Sequence, residues 1–281
     1  MEAKSSALVS AALDSCQQGQ AIVRSKIDQK KMSLVSSFLT DIFGKNVSIY
    51  KGCFIPTGRL PLSPLIGNNI FICNLDGTKA ETVQLDYTPH SVTLNDNEQA
   101  LVTSFNGRFV QTVNLTTLKP GKKIYFGTNC GSITSSNGRI CLSTSQSSFI
   151  ITNLYGDVLK KTTTKLDSFD ISINRAGDCY YTGNFNNVYV LPVNSEEPIL
   201  YNEMSDAHRI TAGDHNCIYV SRRDLNEIIR ISKNNEEYKI DNLLNADDGI
   251  ELPTALSYDN DTKQLMIINN AWTSIHIYNT R

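Results

Sequence analysis

Four histidines (His90, His208, His215 and His276) and seven cysteines (Cys16, Cys53, Cys73, Cys130, Cys141, Cys179 and Cys217) are the residues of this chain best suited to metal or nucleophilic chemistry. Their spacing argues against both. No Cys-x-x-Cys pair occurs, so a structural zinc site lacks its commonest ligand spacing. The chain has no Gly-x-Ser-x-Gly elbow, no His-Glu-x-x-His pair and no glycine-rich phosphate loop. Cysteines inside apolar runs such as Ile72-Cys73 and Ile140-Cys141-Leu142 read instead as buried free thiols of a reducing compartment. The expectation is no catalytic residue, no metal and no cofactor.

A second group of residues suits recognition. Tyr87, Phe105, Arg108, Phe185, Arg209, Arg222, Arg223 and Trp272 all fall in short polar loops. Aromatic and arginine side chains anchor interfaces because they join large contact area to directional hydrogen bonds. Phe105, Phe185 and Trp272 have a plainer use as packing between neighbouring elements. The same arginines with nearby rings could clamp phosphates and stack unpaired bases, so single-stranded RNA is the alternative ligand. Net charge is −2, and Asp206, Asp224, Asp247 and Asp248 lie close to those arginines, which favours protein over RNA.

A repeat places these loops together. Polar turn clusters begin at Asn74, Asn114, Asn153, Asn194 and Asn234, about forty residues apart, and short alternating strands fill the intervals. Four strands per unit at this period indicate propeller blades. The fold expected is mainly β: a six-bladed β-propeller over residues 45–281. Such a ring holds 281 residues as one closed domain, and an apolar fraction of 40 % supplies its core. Loops between the second and third strands of each blade share one rim with the between-blade loops, and that rim carries the residues above.

Innermost strands are expected to start near Cys53, His90, Gly131, Asp170, His208 and Thr254. A propeller hydrolase built on calcium needs several oxygen ligands there, and this set offers one carboxylate. Blade six, Thr254–Tyr258, Gln264–Asn269 and Ser274–Tyr278, has three strands. Its fourth is expected to be Val47-Ser48-Ile49-Tyr50, which would close the ring and remove exposed edges. Residues 243–252 form the longest extra loop.

Residues 5–43 differ from the rest. They contain no proline, and Val9, Leu13, Cys16, Val23, Ile27 and Leu34 recur at three-to-four spacing before Gly44. A single α-helix is expected, with residues 1–44 as a helical stalk that either packs on its own domain or forms the tail of a dimeric coiled coil. Neither a signal peptide nor a span of about twenty apolar residues is present, so the expected place is the cytoplasm, with no membrane contact.

A helix leading into units such as TPHSVTLNDNEQALVTSFNGRFVQTVNL resembles the NHL-like propeller that ends tripartite-motif proteins, most of all the divergent invertebrate forms of bivalve molluscs. The resemblance implies a substrate-selecting propeller of a ubiquitin-ligase family. Ligase activity in that family resides in RING and B-box zinc modules. This chain has no cysteine–histidine framework for either, so the chain by itself is expected to bind without ubiquitylating.

Overall fold

The computed structural model describes residues 32–280 except positions 97, 105, 145–146, 165–167, 184–185, 215 and 235–236, and the side chains of Asn186 and Asn234. Residues 5–31 of the helix expected over residues 5–43, its dimerisation, and the rim positions Phe105 and Phe185 therefore lie outside the described residues.

Among the described residues, 24 strands form six four-stranded antiparallel sheets, the blades of a propeller. The first strand, β1 (Ser33–Leu39), belongs to the last blade. Blade 1 is β2 (Ile49–Gly52), β3 (Arg59–Pro64), β4 (Asn69–Asn74) and β5 (Glu81–Gln84). Blade 2 is β6 (Pro89–Asp96), β7 (Gln99–Ser104), β8 (Phe109–Asn114) and β9 (Lys119–Tyr125). Blade 3 is β10 (Cys130–Ser136), β11 (Arg139–Thr144), β12 (Ser148–Asn153) and β13 (Val158–Thr163). Blade 4 is β14 (Ser168–Ile173), β15 (Cys179–Gly183), β16 (Asn186–Leu191) and β17 (Ile199–Asn202). Blade 5 is β18 (Ala207–Ala212), β19 (Cys217–Arg222), β20 (Glu227–Asn234) and β21 (Glu237–Leu244). Blade 6 is β22 (Ala255–Asp259), β23 (Gln264–Asn269), β24 (Ser274–Asn279) and then β1. The innermost strands β2, β6, β10, β14, β18 and β22 touch in a closed cycle.

The repeated turns have a local cause. Asn114 Oδ1 accepts the backbone N–H groups of Thr116 and Thr117 at 3.0 and 2.6 Å, and Asn153 Oδ1 accepts those of Tyr155 and Asp157 at 2.9 and 3.0 Å. An Asn or Asp side chain that imitates a backbone turn in this way reverses the strand at each blade edge.

Six apolar clusters follow, one at each blade interface. Ile70 and Ile72 meet Val92 and Val102 between blades 1 and 2, and Met266, Ile275 and Ile277 meet Ile49, Leu60 and Leu62 between blades 6 and 1. The core is thus a torus, which leaves the axis to polar side chains.

Two expectations need correction. Residues 33–43 are not α-helical: Ser33–Leu39 is a strand and Thr40–Phe43 a single 3-10 turn. The fourth strand of blade 6 is this β1, not residues 47–50. It pairs with β24 through Leu34↔Tyr278, Phe38↔Ile275 and Leu39↔Ser274. Serine and the β-branched Val35 give this stretch weak helix propensity, and pairing covers a row of backbone groups that would otherwise be an open edge. Phe38 and Ile42 then lie over Gly77, where an added Cβ would sit only 2.8–2.9 Å from their side chains. Ile49–Gly52 is freed to be the innermost strand of blade 1, so Cys53, Phe54 and Ile55 follow that strand and are buried beside it.

Candidate functional site

Each of the first five innermost strands carries a register shift near its start. The shifts fall between Ile49 and Lys51, Pro89 and Val92, Cys130 and Ile133, Ser168 and Asp170, and Ala207 and Arg209. They set Tyr50, His90, Gly131, Phe169 and His208 in equivalent places. A bulge of this kind re-aims a side chain but leaves backbone groups unpaired. A buried hydroxyl from the second strand of the same blade takes them up: Ser63, Thr103, Ser143, Thr182 and Ser221. Thr103 shows the full pattern, accepting from the Ser91 N–H at 3.0 Å and donating to the Gly131 carbonyl of the next blade at 2.9 Å. Ser63 donates to the His90 carbonyl at 2.9 Å, Thr182 to the His208 carbonyl at 3.1 Å, and Ser221 accepts from the Arg209 N–H at 3.1 Å. Buried backbone groups demand such partners.

At the axis the repeat gives way to chemistry. Lys51 Nζ donates to Asp170 Oδ1 and Oδ2 at 2.9 and 2.7 Å, joining blades 1 and 4, which stand opposite in the ring of six. Asp170 Oδ2 also accepts the Ile210 N–H at 3.3 Å. Arg209, on blade 5, is 1 % exposed, and its Nε donates to the Thr254 carbonyl at 2.8 Å. Its guanidinium carbon lies 4.2 Å from the centroid of Phe169 and 4.8 Å from that of Tyr50. Tyr50 in turn is 4.6 Å from the His90 ring, and Phe169 is 4.7 Å from the His208 ring. The result is one continuous stack, His90–Tyr50–Arg209–Phe169–His208, laid over a buried ion pair. A guanidinium held between two aromatic faces is attracted by both ring quadrupoles.

The charges shape one another. Burial works to raise the Asp170 carboxyl, but Lys51 and Arg209 outweigh it and hold it below its usual range. Burial, helped by the charge of Arg209, pushes His90 down to about 4 and His208 down to about 3. Asp170 pulls both upward without reversing the shift, while Lys51 adds to the lowering, as does Arg223 at His208. Burial also lowers His276. Unfolded histidine titrates near 6.5. Below that pH the unfolded chain binds protons that the folded chain refuses, so stability is lost as pH falls. Each histidine contributes a slope of at most about 1.4 kcal/mol per pH unit. Thermal midpoints followed by circular dichroism are expected to be level from pH 8 to 7 and to drop steadily from pH 6.5 towards 4.5. A level profile through that window would refute the assignment of neutral axial histidines.

The residues expected on the rim divide into three groups. Arg223 and Trp272 are brought together, with the Arg223 guanidinium carbon 5.7 Å from the indole centroid. Arg223 also donates from Nη1 to Asp224 Oδ1 at 3.3 Å. Asn270, Ala271 and Trp272 are consecutive residues with φ of +51°, +48° and +75°, a left-handed run that side-chain-bearing residues adopt at a cost. The loop is held there because the Ile49 N–H donates to the Trp272 carbonyl at 2.9 Å. Arg108 is exposed on its loop.

Arg222 and Tyr87 serve the scaffold. Arg222 Nη1 donates to Glu227 Oε2 at 2.8 Å and its Nε to the Ser205 carbonyl at 3.3 Å. Tyr87 packs edge-on to Phe109 at 4.9 Å, with the Lys123 ammonium over both rings. Arg209 is the clearest departure from expectation: its side chain is the buried centre of the axial stack rather than part of an open rim, because the bulge at His208 directs it inward.

Tyr50, Lys51 and Phe169 were missed in the sequence. Tyr50 stands about forty residues before His90, so the repeat itself carried the signal. The buried Ser/Thr at 63, 103, 143, 182 and 221 recur at nearly the same period. Innermost strands begin on the face that bears Arg108, Arg223 and Trp272, so the stack opens to that face. Elsewhere, burial pushes the thiols of Cys53, Cys73 and Cys130 up to about 12, which leaves them poor nucleophiles. Among the described residues no group of three or more His, Cys, Asp or Glu side chains is placed to hold a metal ion. No helix among them is long and apolar enough to cross a membrane.

No protein-family profile matches the chain, and no curated protein matches it in sequence. Solved structures do. A selenomethionine-substituted virginiamycin B lyase from Staphylococcus aureus superposes with a TM-score of 0.63 at 14 % identity, covering 89 % of each chain. A streptogramin B lyase gives 0.63 at 13 % identity, over 89 % of this chain and 99 % of its own. The hydrazine synthase of Kuenenia stuttgartiensis gives 0.60 at 14 % identity, over 79 % and 74 %. At these identities the likeness is one of fold: the chain is a six-bladed β-propeller whose neighbours are propeller proteins.

Proposed function

We propose that this chain is a non-enzymatic recognition module that grips a protein partner on the face where the innermost strands begin, as the propeller of tripartite-motif ubiquitin ligases selects substrates. The observation that carries the reading is the Arg223–Trp272 pair held on a left-handed loop beside the axial stack. Backbone strain at an exposed loop is kept when function needs the geometry, and tryptophan with arginine is the commonest anchor of an interface. Catalysis has less support. The one axial carboxylate among the described residues is committed to an ion pair, and the neutral axial histidine rings are packed against Tyr50 and Phe169.

Protein is favoured over RNA because Arg222 pairs with Glu227 and Arg223 with Asp224, which spends the positive charge a phosphate backbone would need. The test is affinity capture on the immobilised full chain, compared with Trp272→Ala and Arg223→Ala. A partner retained by the native chain should be weakened more than about tenfold by Trp272→Ala, as expected of an interface anchor. Capture that is identical for all three chains would end this reading. So would a salt-sensitive mobility shift of short single-stranded RNAs that Arg223→Glu abolishes, which would move the assignment to RNA.

A further inference from the structure

The axial cluster holds two cations, Lys51 and Arg209, against one carboxylate, Asp170. Lys51 satisfies both oxygens of that carboxylate. Arg209 is left with one hydrogen bond, from Nε to Thr254, while its Nη1 is buried and has no acceptor among the described residues. A guanidinium has five donors, and leaving one of them buried and unmet is costly. Excess positive charge and an unmet donor at the same atom group define what is missing: an anion with oxygen acceptors. The neighbours define its size and entry. Tyr50, His90 and Phe169 are only half-buried and form the open side of the stack, whereas Asp170 closes the floor. Flat rings on two sides suit a planar group that can meet a guanidinium edge.

We propose that the axial mouth above Arg209 is a carboxylate-binding site, reached by a small displacement of the half-buried Tyr50 or Phe169 ring. Arg209 supplies the charge-assisted hydrogen bonds from Nη1, Lys51 supplies the long-range charge, and the rings exclude water from the pair. The site itself stands on this geometry. Only the source of the carboxylate, a glutamate or aspartate side chain of a protein partner as against a free small acid, rests on the recognition reading.

The full chain offers a convenient reporter because Trp272 is its single tryptophan. In chloride-free buffer at fixed ionic strength, sodium acetate and glutarate are expected to raise the thermal midpoint saturably and to change the tryptophan emission. Acetamide, of the same shape but uncharged, is expected to do neither. Arg209→Met should weaken acetate by more than about tenfold, and Arg175→Gln, at an exposed ion pair with Asp261, should leave it unchanged. Equal effects of acetate and acetamide on the native chain would overturn the proposal, even if Arg209→Met fails to fold. Acetate binding that survives Arg209→Met undiminished would overturn it as well. A second arm compares the peptide Gly-Gly-Glu-Gly-Gly, amidated at its end, with its Gln counterpart. Preference for Glu supports a side chain as the source. Acetate binding without that preference keeps the site for free small acids and counts against the protein-recognition reading alone.

Discussion

Replacing Asp170 by alanine is expected to cost about 3–5 kcal/mol, the usual penalty when one partner of a buried ion pair is removed and the other stays charged. The loss here falls on three groups together: the Lys51 ammonium, the Arg209 guanidinium and the Ile210 N–H all look to that carboxylate. For a domain of this size about 1 kcal/mol moves the thermal midpoint by 2–4 °C, so a fall on the order of 10 °C should be seen. Lys51→Met should cost less, because Arg209 still faces the carboxylate. Removing both charges with Lys51→Met and Asp170→Ala should recover part of the single loss, since the apolar pair escapes the desolvation that the ion pair endures. Denaturant titration of the four chains measures the coupling. An Asp170→Ala chain within about 1 kcal/mol of the native one would mean that solvent reaches the axis and the pair is not sealed.

Trimming the chain through Leu39 is expected to be the other large effect. Strand β1 contributes about half a dozen ladder hydrogen bonds, each worth about 1 kcal/mol, and Phe38 packs against the cluster shared by blades 6 and 1. A loss on the order of 5 kcal/mol follows. The exposed edge of β24 should also pair with other chains, so the trimmed protein should gain mass in light scattering. A synthetic peptide covering residues 32–44, added in trans, should restore both the midpoint and the mass. If the trimmed chain melts within a few degrees of the native one, blade 6 is closed by something other than β1. The point bears on function because the Ile49 N–H that fixes the Trp272 loop lies ten residues beyond Leu39 on the same connection.

The face proposed for recognition depends on these two devices. Ring closure sets the Trp272 carbonyl against Ile49, and the cross-axis pair sets the height at which Arg209 is clasped by Tyr50 and Phe169. The recognition proposed for this face would therefore inherit the acid sensitivity of His90 and His208.

The sequence alone determined the number of blades, their turns and most strand limits, because these are local matters. Asn114 and Asn153 fold their own turns, and alternation of apolar and polar residues is a property of a few neighbours. The rim loops that hold Arg108, Arg223 and Trp272 were legible for the same reason. Only the closed ring decided the rest. Ser33–Leu39 became a strand because β24 offered an unpaired edge some 240 residues away in the chain, and no local pattern records that offer. Lys51 and Asp170, separated by 119 residues, became partners because blades 1 and 4 face each other across the axis. Arg209, read as a surface arginine, was drawn inward for the same cause: six innermost strands, five of them bulged, meet at one axis and create a buried polar centre whose charges must be met from several blades together.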